Sequence, residues 1–222
     1  MAIYQVFTEK KKSFFEKISI TIWLIILNVF LFLLFSLLIS SGIISIDLIA
    51  LKPSNILQGK FLWTLFTSIF MHAGFFHLFA NMLSLLFVGN LLEKILGRKR
   101  YLHLYLLAGI FSGILFVLSS QIFPSDLNSY AVGASGALFG LIGVLMFLTP
   151  NLSVYLMFVP IPIKMKYAAP GMLVLLWLIS IGADIPIGNI AHLGGLIVGV
   201  IYGIYLRKVF PNKVKVLSKR FS

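Results

Sequence analysis

Six apolar runs divide this chain, at 19–41, 77–93, 102–122, 135–149, 167–182 and 189–206. Most approach the ~20 residues that a helix needs to cross a bilayer. The pattern predicts an all-α polytopic membrane protein: a bundle of six transmembrane helices with an interfacial loop between spans 1 and 2. The first run could be read as a cleaved leader. Its apolar core of about two dozen residues exceeds the ~7–15 of a signal-peptide core, so it counts as a span. The expected organisation is a basic segment over 1–18, one six-span domain over 19–207 and a basic tail over 208–222. No internal repeat, low-complexity tract or second domain is visible.

Two stretches depart from the simple alternation. The loop over 42–76 contains "NILQGKFLWTLFTSIF", too rich in Trp, Phe and Leu for a solvated connection. It reads as short helices lying in the outer interface. Backbone at that depth must be covered by protein or line a wet cavity. The fourth run is short, bounded by Ser135 and by Pro150. Fifteen residues span only about 22 Å against a hydrocarbon core of ~30 Å. If its inner end reaches the inner interface, its outer end stops below the outer surface.

Composition supports the class: 60% of the 222 residues are hydrophobic, which excludes an ordinary soluble domain. There is no cysteine, so disulfides, a thiol nucleophile and a thiolate metal site are excluded. The net charge of +12 comes from 18 Lys and Arg against 6 acids. These cations sit in blocks beside the spans: Lys10 to Lys12 with Lys17, Lys94 with Arg98 to Arg100, Lys164 with Lys166, and Arg207 onward. Alternating the spans puts every block on one side, taken as cytoplasmic, where basic residues also meet anionic lipid. Both termini are then cytoplasmic. Asp47, Asp126 and Asp184 fall on the opposite side with Lys52 and Lys60. Charge placed this way argues for a multi-pass plasma-membrane protein and against a nucleic-acid partner.

Polar groups inside a bilayer are costly, and three sets stand out, all toward the outer side. Ser135, in "AVGASGALFG", opens the short fourth span beside free N–H groups and the positive end of a helix dipole. Alone it reads equally well as an N-cap or as part of a small-residue helix contact. His192 opens the sixth span, followed on its own face by Gly195, Gly199 and Gly203. The fourth span offers Gly136, Gly140 and Gly143, so the two helices can pack closely and bring Ser135 to His192. His77 and Asn81 share a face at the outer end of the second span, with His72 just before it. Each set alone could be packing or interhelical hydrogen bonding. Together they supply a nucleophile, a base and candidate oxyanion donors, the requirements of acyl transfer. An imidazole of ordinary pKa, ~6.5, suits a neutral general base near pH 7. No acid is placed to orient His192, Asp184 being only a weak candidate, so the expectation is a Ser–His dyad.

"HAGFFHLFAN" at 72–81, "GASG" at 133–136 and "AHLGGLIVG" at 191–199 occur in order on the right spans. In these motifs the chain resembles the rhomboid family of intramembrane serine proteases. "NLLEKILGRKR" at 90–100 is similar to the stretch that ends the family's second helix, and the likeness runs from about 57 to 207. The resemblance implies a rhomboid-like six-helix fold, with Ser135 as nucleophile and His192 as general base. It implies His77, Asn81 and the Ser135 N–H as the oxyanion hole, and Gly133 as the residue that allows the loop beside the serine. It also implies that His72 shapes the water-holding cavity and that His192 packs on the Phe139 ring. One departure is Trp63-Thr64, where members often carry Trp-Arg, which bears on loop rigidity.

The expected activity is cleavage of transmembrane segments near the outer surface, in single-span or other membrane-protein substrates, with no cofactor. One alternative is an inactive rhomboid-like protein that binds membrane clients, although relatives of that kind usually lack the Ser or the His. Another is a small transporter, against which stands the absence of mid-depth ionisable groups and of a repeat. A zinc site from His72, His77 and His192 is disfavoured because no H-E-x-x-H and no carboxylate base accompany them. Oligomeric state is not legible.

Overall fold

The computed structural model of the protein describes residues 18–155, 160–183 and 188–221. Helix α1 (Ile20–Ser40) leads into a loop with two short helices, α2 (Pro53–Leu57) and α3 (Thr64–Thr67). Then come α4 (Phe75–Leu96), with a π-helical turn at Leu85–Gly89, and α5 (Arg98–Ser119). Helix α6 (Ser135–Leu148) precedes a hairpin of β1 (Ser153–Tyr155) and β2 (Pro162–Lys164), paired antiparallel with Val154 opposite Ile163. Helices α7 (Met165–Ala183), α8 (Asn189–Val209) and α9 (Pro211–Arg220) complete the described chain. Among these, α1, α4, α5, α7 and α8 are long and apolar enough to cross a membrane, and α6 is a shorter apolar helix.

Helices occupy the six apolar runs, with shifted ends. Helix α5 starts at Arg98 rather than 102, because Gly97, at φ 79, turns the chain and Arg and Lys are good helix formers. It stops at Ser119, so 120–122 form a turn and not helix. The basic segment over 208–222 is helical in its described part: α8 runs on to Val209, and α9 begins on Pro211 at a position where a missing N–H costs nothing. Val214 of α9 is buried and Leu217 packs on the core, so this segment is amphipathic. The β-hairpin has no counterpart in the sequence reading, since three-residue strands leave no period to detect. Residues 1–17 and Asp184 lie outside the described residues.

Helix α6 is the centre of the bundle. Every residue from Gly136 to Leu145 is buried, so it has no lipid face and needs no amphipathic period. At ~1.5 Å per residue its 14 residues span about 21 Å, roughly 10 Å less than α5 or α8. Helix α8 lies against it through glycine. A Cβ on Gly195 or Gly199 would strike the carbonyl oxygens of Gly136 and Gly140, and one on Gly143 would come 2.8 Å from the Leu196 oxygen. Helix α5 supplies the third wall with Ala108 against Gly140.

The outer elements are bound less evenly. Helix α1 buries one stripe, Thr21, Leu24, Asn28 and Phe32. Its N-terminus is held by Glu93 of α4, whose Oε1 accepts from the Ile20 N–H at 2.8 Å. Glu93 Oε2 accepts from the Thr21 N–H and hydroxyl at 2.9 and 2.8 Å. Helix α7 buries only Met165, Ala168 and Ala169.

The long first loop is tied at several points. Leu51 and Ala131 exchange backbone hydrogen bonds, Trp63 Nε1 donates to the Leu48 carbonyl and Thr67 Oγ1 to the Ile49 carbonyl. Asp47 accepts from the Asn55 amide and the Tyr130 hydroxyl, both at 2.9 Å. The Asn55 bond leads in holding the Asp47 carboxyl below its usual range, against some desolvation. Thr64, at the Trp63-Thr64 departure noted in the sequence, is buried, and its hydroxyl has no partner among the described residues. The loop is therefore held by ties that do not involve the Thr64 side chain.

Candidate active site

Ser135, His192 and His77 all sit in the first turn of a helix, on α6, α8 and α4. Alternation of the helices puts those three turns at one end of the bundle, together with the long loop. The basic turns at 97–100 and 207–213 fall at the other end. Convergence follows from the packing. The α6–α8 glycine contact lets the axes approach closely, and Ser135 and His192 stand at the top of it.

Ser135 Oγ lies 2.7 Å from His192 Nε2, a strong hydrogen-bond distance. With the hydroxyl donating, Nε2 is the acceptor and Nδ1 carries the ring proton. Nδ1 is buried without a partner among the described residues, so no described carboxylate orients the ring. The Phe139 ring does so by contact, stacked on the imidazole at 4.8 Å and 21°. Phe139 is one helical turn below Ser135, so the helix that presents the serine also seats the histidine.

The serine loop is shaped by backbone. Gly133 has φ 122, a region that favours glycine, and its N–H donates to the Ser68 carbonyl at 2.8 Å. A Cβ at 133 would come 2.8 Å from His77 Cε1, 3.0 Å from His77 Nε2 and 3.8 Å from Ser135 Oγ. His77 and Ser135 thus face one small space left open by the bare Gly133 carbon. The Ala73 N–H donates to His77 Nδ1 at 3.4 Å, which leaves Nε2 protonated on the side toward that space. The amides of the first turn of α6 have no acceptor within their own helix.

The remaining expected residues are close by, in different attitudes. Buried His72 receives a long bond, 3.5 Å, from the Ala134 N–H and meets the His77 ring edge-on at 5.2 Å. Asn81 is buried one turn below His77, and its Nδ2 donates to the His77 carbonyl at 2.8 Å. One of its two N–H donors is therefore engaged inside α4. No group of three His, Cys, Asp or Glu among the described residues is arranged to hold a metal ion.

Ser112 of α5 was not singled out in the sequence. Its hydroxyl donates to the Ala191 carbonyl at 2.6 Å, and it fills the notch left by Gly136. The signal was the run of small residues Ala108, Gly109, Ser112 and Gly113 along one side of the third span.

The Rhomboid domain family matches residues 60–209. RHOMBOID-like protein 1 of Arabidopsis thaliana is 38% identical over 159 residues, covering 69% of this chain and 37% of that protein. RHOMBOID-like protein 6, mitochondrial, of the same plant is 35% identical over 162 residues, 71% of this chain and 48% of its own. Rhomboid protease GluP of Bacillus subtilis (strain 168) is 36% identical over 153 residues, 68% of this chain and 27% of that protein. The chain thus spans less than half the length of these relatives. The matched region runs from before α3 to the end of α8 and contains Ser135, His192, His77 and Asn81, and the chain belongs to the rhomboid family.

Proposed function

We propose that this protein is an intramembrane serine endopeptidase that cleaves transmembrane segments of other membrane proteins. The observation that carries this reading is the 2.7 Å contact between Ser135 Oγ and His192 Nε2 at the partly buried head of α6 and α8. Ser135 is the nucleophile and His192 its general base, a dyad rather than a triad. Similarity to a Bacillus protein named as a rhomboid protease supports the same reaction class.

The reaction proceeds as acyl transfer. The Ser135 oxygen attacks the scissile carbonyl carbon while its proton passes to His192 Nε2. Negative charge grows on the carbonyl oxygen, facing the first-turn amides of α6, His77 Nε2–H and the free N–H of Asn81. Donors fixed in a low-dielectric site favour that charge more than water does, and one such donor contributes about 10²–10³ in rate. His192 then protonates the leaving amine, and water hydrolyses the acyl-enzyme. A substrate helix reaches the site sideways from the lipid. Helix α7 is sparsely packed beyond its first turns, and α4 offers exposed Phe75, Phe76 and Phe79 beside His77.

The basic end of the bundle faces the cytoplasm of a plasma membrane, by the bias of Lys and Arg toward that side. The site then opens toward the outer side, where water for the second step is available.

The test is cleavage of a fluorescent single-span substrate in liposomes by the wild type beside Ser135→Ala. The expected outcome is a loss of more than about 10³-fold in the variant, with fluorophosphonate labelling confined to Ser135. Equal cleavage by both would sink the dyad. Client binding that survives Ser135→Ala and His192→Ala, with no cleavage by the wild type, would point instead to a binding protein.

A further inference from the structure

We infer that Ser112 is a positioning residue for the proposed dyad: its hydroxyl locks the first turn of α8 against α5 and α6 and so sets the reach of His192 to Ser135. The inference rests on the dyad reading above. Ser112 meets both functional helices one residue from each functional side chain. Its Oγ donates to the carbonyl of Ala191, the residue before His192. Its side chain occupies the space over Gly136, the residue after Ser135, so tightly that a Cβ there would collide with the Ser112 hydroxyl. On its other side, a Cβ at Gly194 would come 3.1 Å from the Ser112 Cα. Helices α5, α6 and α8 therefore close on each other around one hydroxyl.

The bond matters because little else fixes the imidazole. Nδ1 has no partner among the described residues, and the stacked Phe139 ring resists tilting better than sliding. The ring's position along and around α8 is set by the backbone of the first turn. That turn lies at a helix N-terminus, where fraying is easiest, and follows directly on Gly188. A donor from a third helix onto the Ala191 carbonyl holds the turn from outside. The bond is direct and short, in a setting with few competing partners, where hydrogen bonds are stronger than in water. A displacement of about 1 Å between reacting groups can cost about 100-fold in rate. The hydroxyl touches neither the nucleophile nor the base, and it contacts no reacting atom in the mechanism.

Two matched pairs separate the hydroxyl from packing. Ser112→Ala keeps the Cβ and removes the donor. Ser112→Thr and Ser112→Val share a shape and differ only in the donor. Each is compared with the wild type for cleavage of a fluorogenic single-span peptide, for the rate of fluorophosphonate labelling at Ser135 per folded molecule, and for Tm in detergent. The expected result is a kcat and labelling rate lowered about 10- to 100-fold in Ser112→Ala, with KM unchanged, and Ser112→Thr at least 10-fold faster than Ser112→Val. Equal labelling by Ser112→Ala and the wild type, or a Thr variant no faster than Val, overturns the inference and leaves the dyad standing. A wild type that is not labelled at Ser135 removes the dyad, and this inference with it.

Discussion

Gly133 carries two demands at one position. Its φ of 122 is a conformation that costs a side-chain-bearing residue of order 1–3 kcal/mol, and a Cβ there would press into the His77 ring at 2.8 Å. The same missing atom leaves open the space shared by His77 Nε2 and Ser135 Oγ. Gly133→Ala is expected to lower fluorophosphonate labelling at least about 100-fold, while the bundle remains folded by circular dichroism. Labelling at the wild-type rate would show that the space beside Ser135 is not used. The polar residues of the site were legible in the sequence because costly polar groups stand out in apolar runs. What was hidden is what each polar atom bonds. Asn81 turns one donor back onto its own helix, and Ser112 looked like one more small residue in a small-residue stripe.

At the scale of elements, the α6–α8 contact decides the bundle. Gly195 and Gly199 meet carbonyl oxygens of α6 at distances no Cβ could share. Gly199→Ala would strike the Gly140 carbonyl, and backbone cannot yield as a side chain does. It should destabilise the protein by about 1–3 kcal/mol, as overpacking does, read as a lower midpoint of unfolding in detergent. Gly171 in α7 has open space around its Cβ position and supplies the control. Gly171→Ala should be neutral or stabilising by up to about 1 kcal/mol from helix propensity alone. A Gly199→Ala protein as stable as Gly171→Ala would mean the helices can separate at no cost. The glycine faces of the two helices were readable from their spacing. The π-helical turn Leu85–Gly89 was not. A Cβ on Gly89 would come 2.6 Å from the Tyr101 hydroxyl, a contact between α4 and α5 that no local pattern announces.

The whole molecule is tightly packed at its centre and loosely bound at its edges. Helices α5, α6 and α8 form the core, whereas α7 and most of α1 present their sides outward. Helix α1 is held at the end away from the site by Glu93, which receives three hydrogen bonds from Ile20 and Thr21. Bonds to a charged group contribute about 1.5–3 kcal/mol, and their loss would leave buried donors unpaired. Glu93→Ala should therefore lower stability by about 2–3 kcal/mol and expose α1 to proteolysis, whereas the surviving folded fraction keeps its labelling rate at Ser135. A loss of labelling without loss of stability would show that this end of the bundle governs the site directly.

Gly133 and Phe139 entered only through the family resemblance; by itself the sequence determined the membrane class, the six apolar segments, the short fourth helix, the irregular first loop and the polar residues that meet at the site. These are local properties: run length, spacing along one helix and the rarity of polar groups in apolar surroundings. The tertiary structure alone decided which partners those residues take. Ser112 bonds Ala191 across 79 positions, and Glu93 caps a helix 72 positions away. It also made α9 a helix, through packing of Val214 on a core that a short basic segment gives no hint of. Pairings across such separations depend on how helices approach in three dimensions: the glycine spacing shows that α6 and α8 can meet closely, but not which polar atoms then fall within bonding distance.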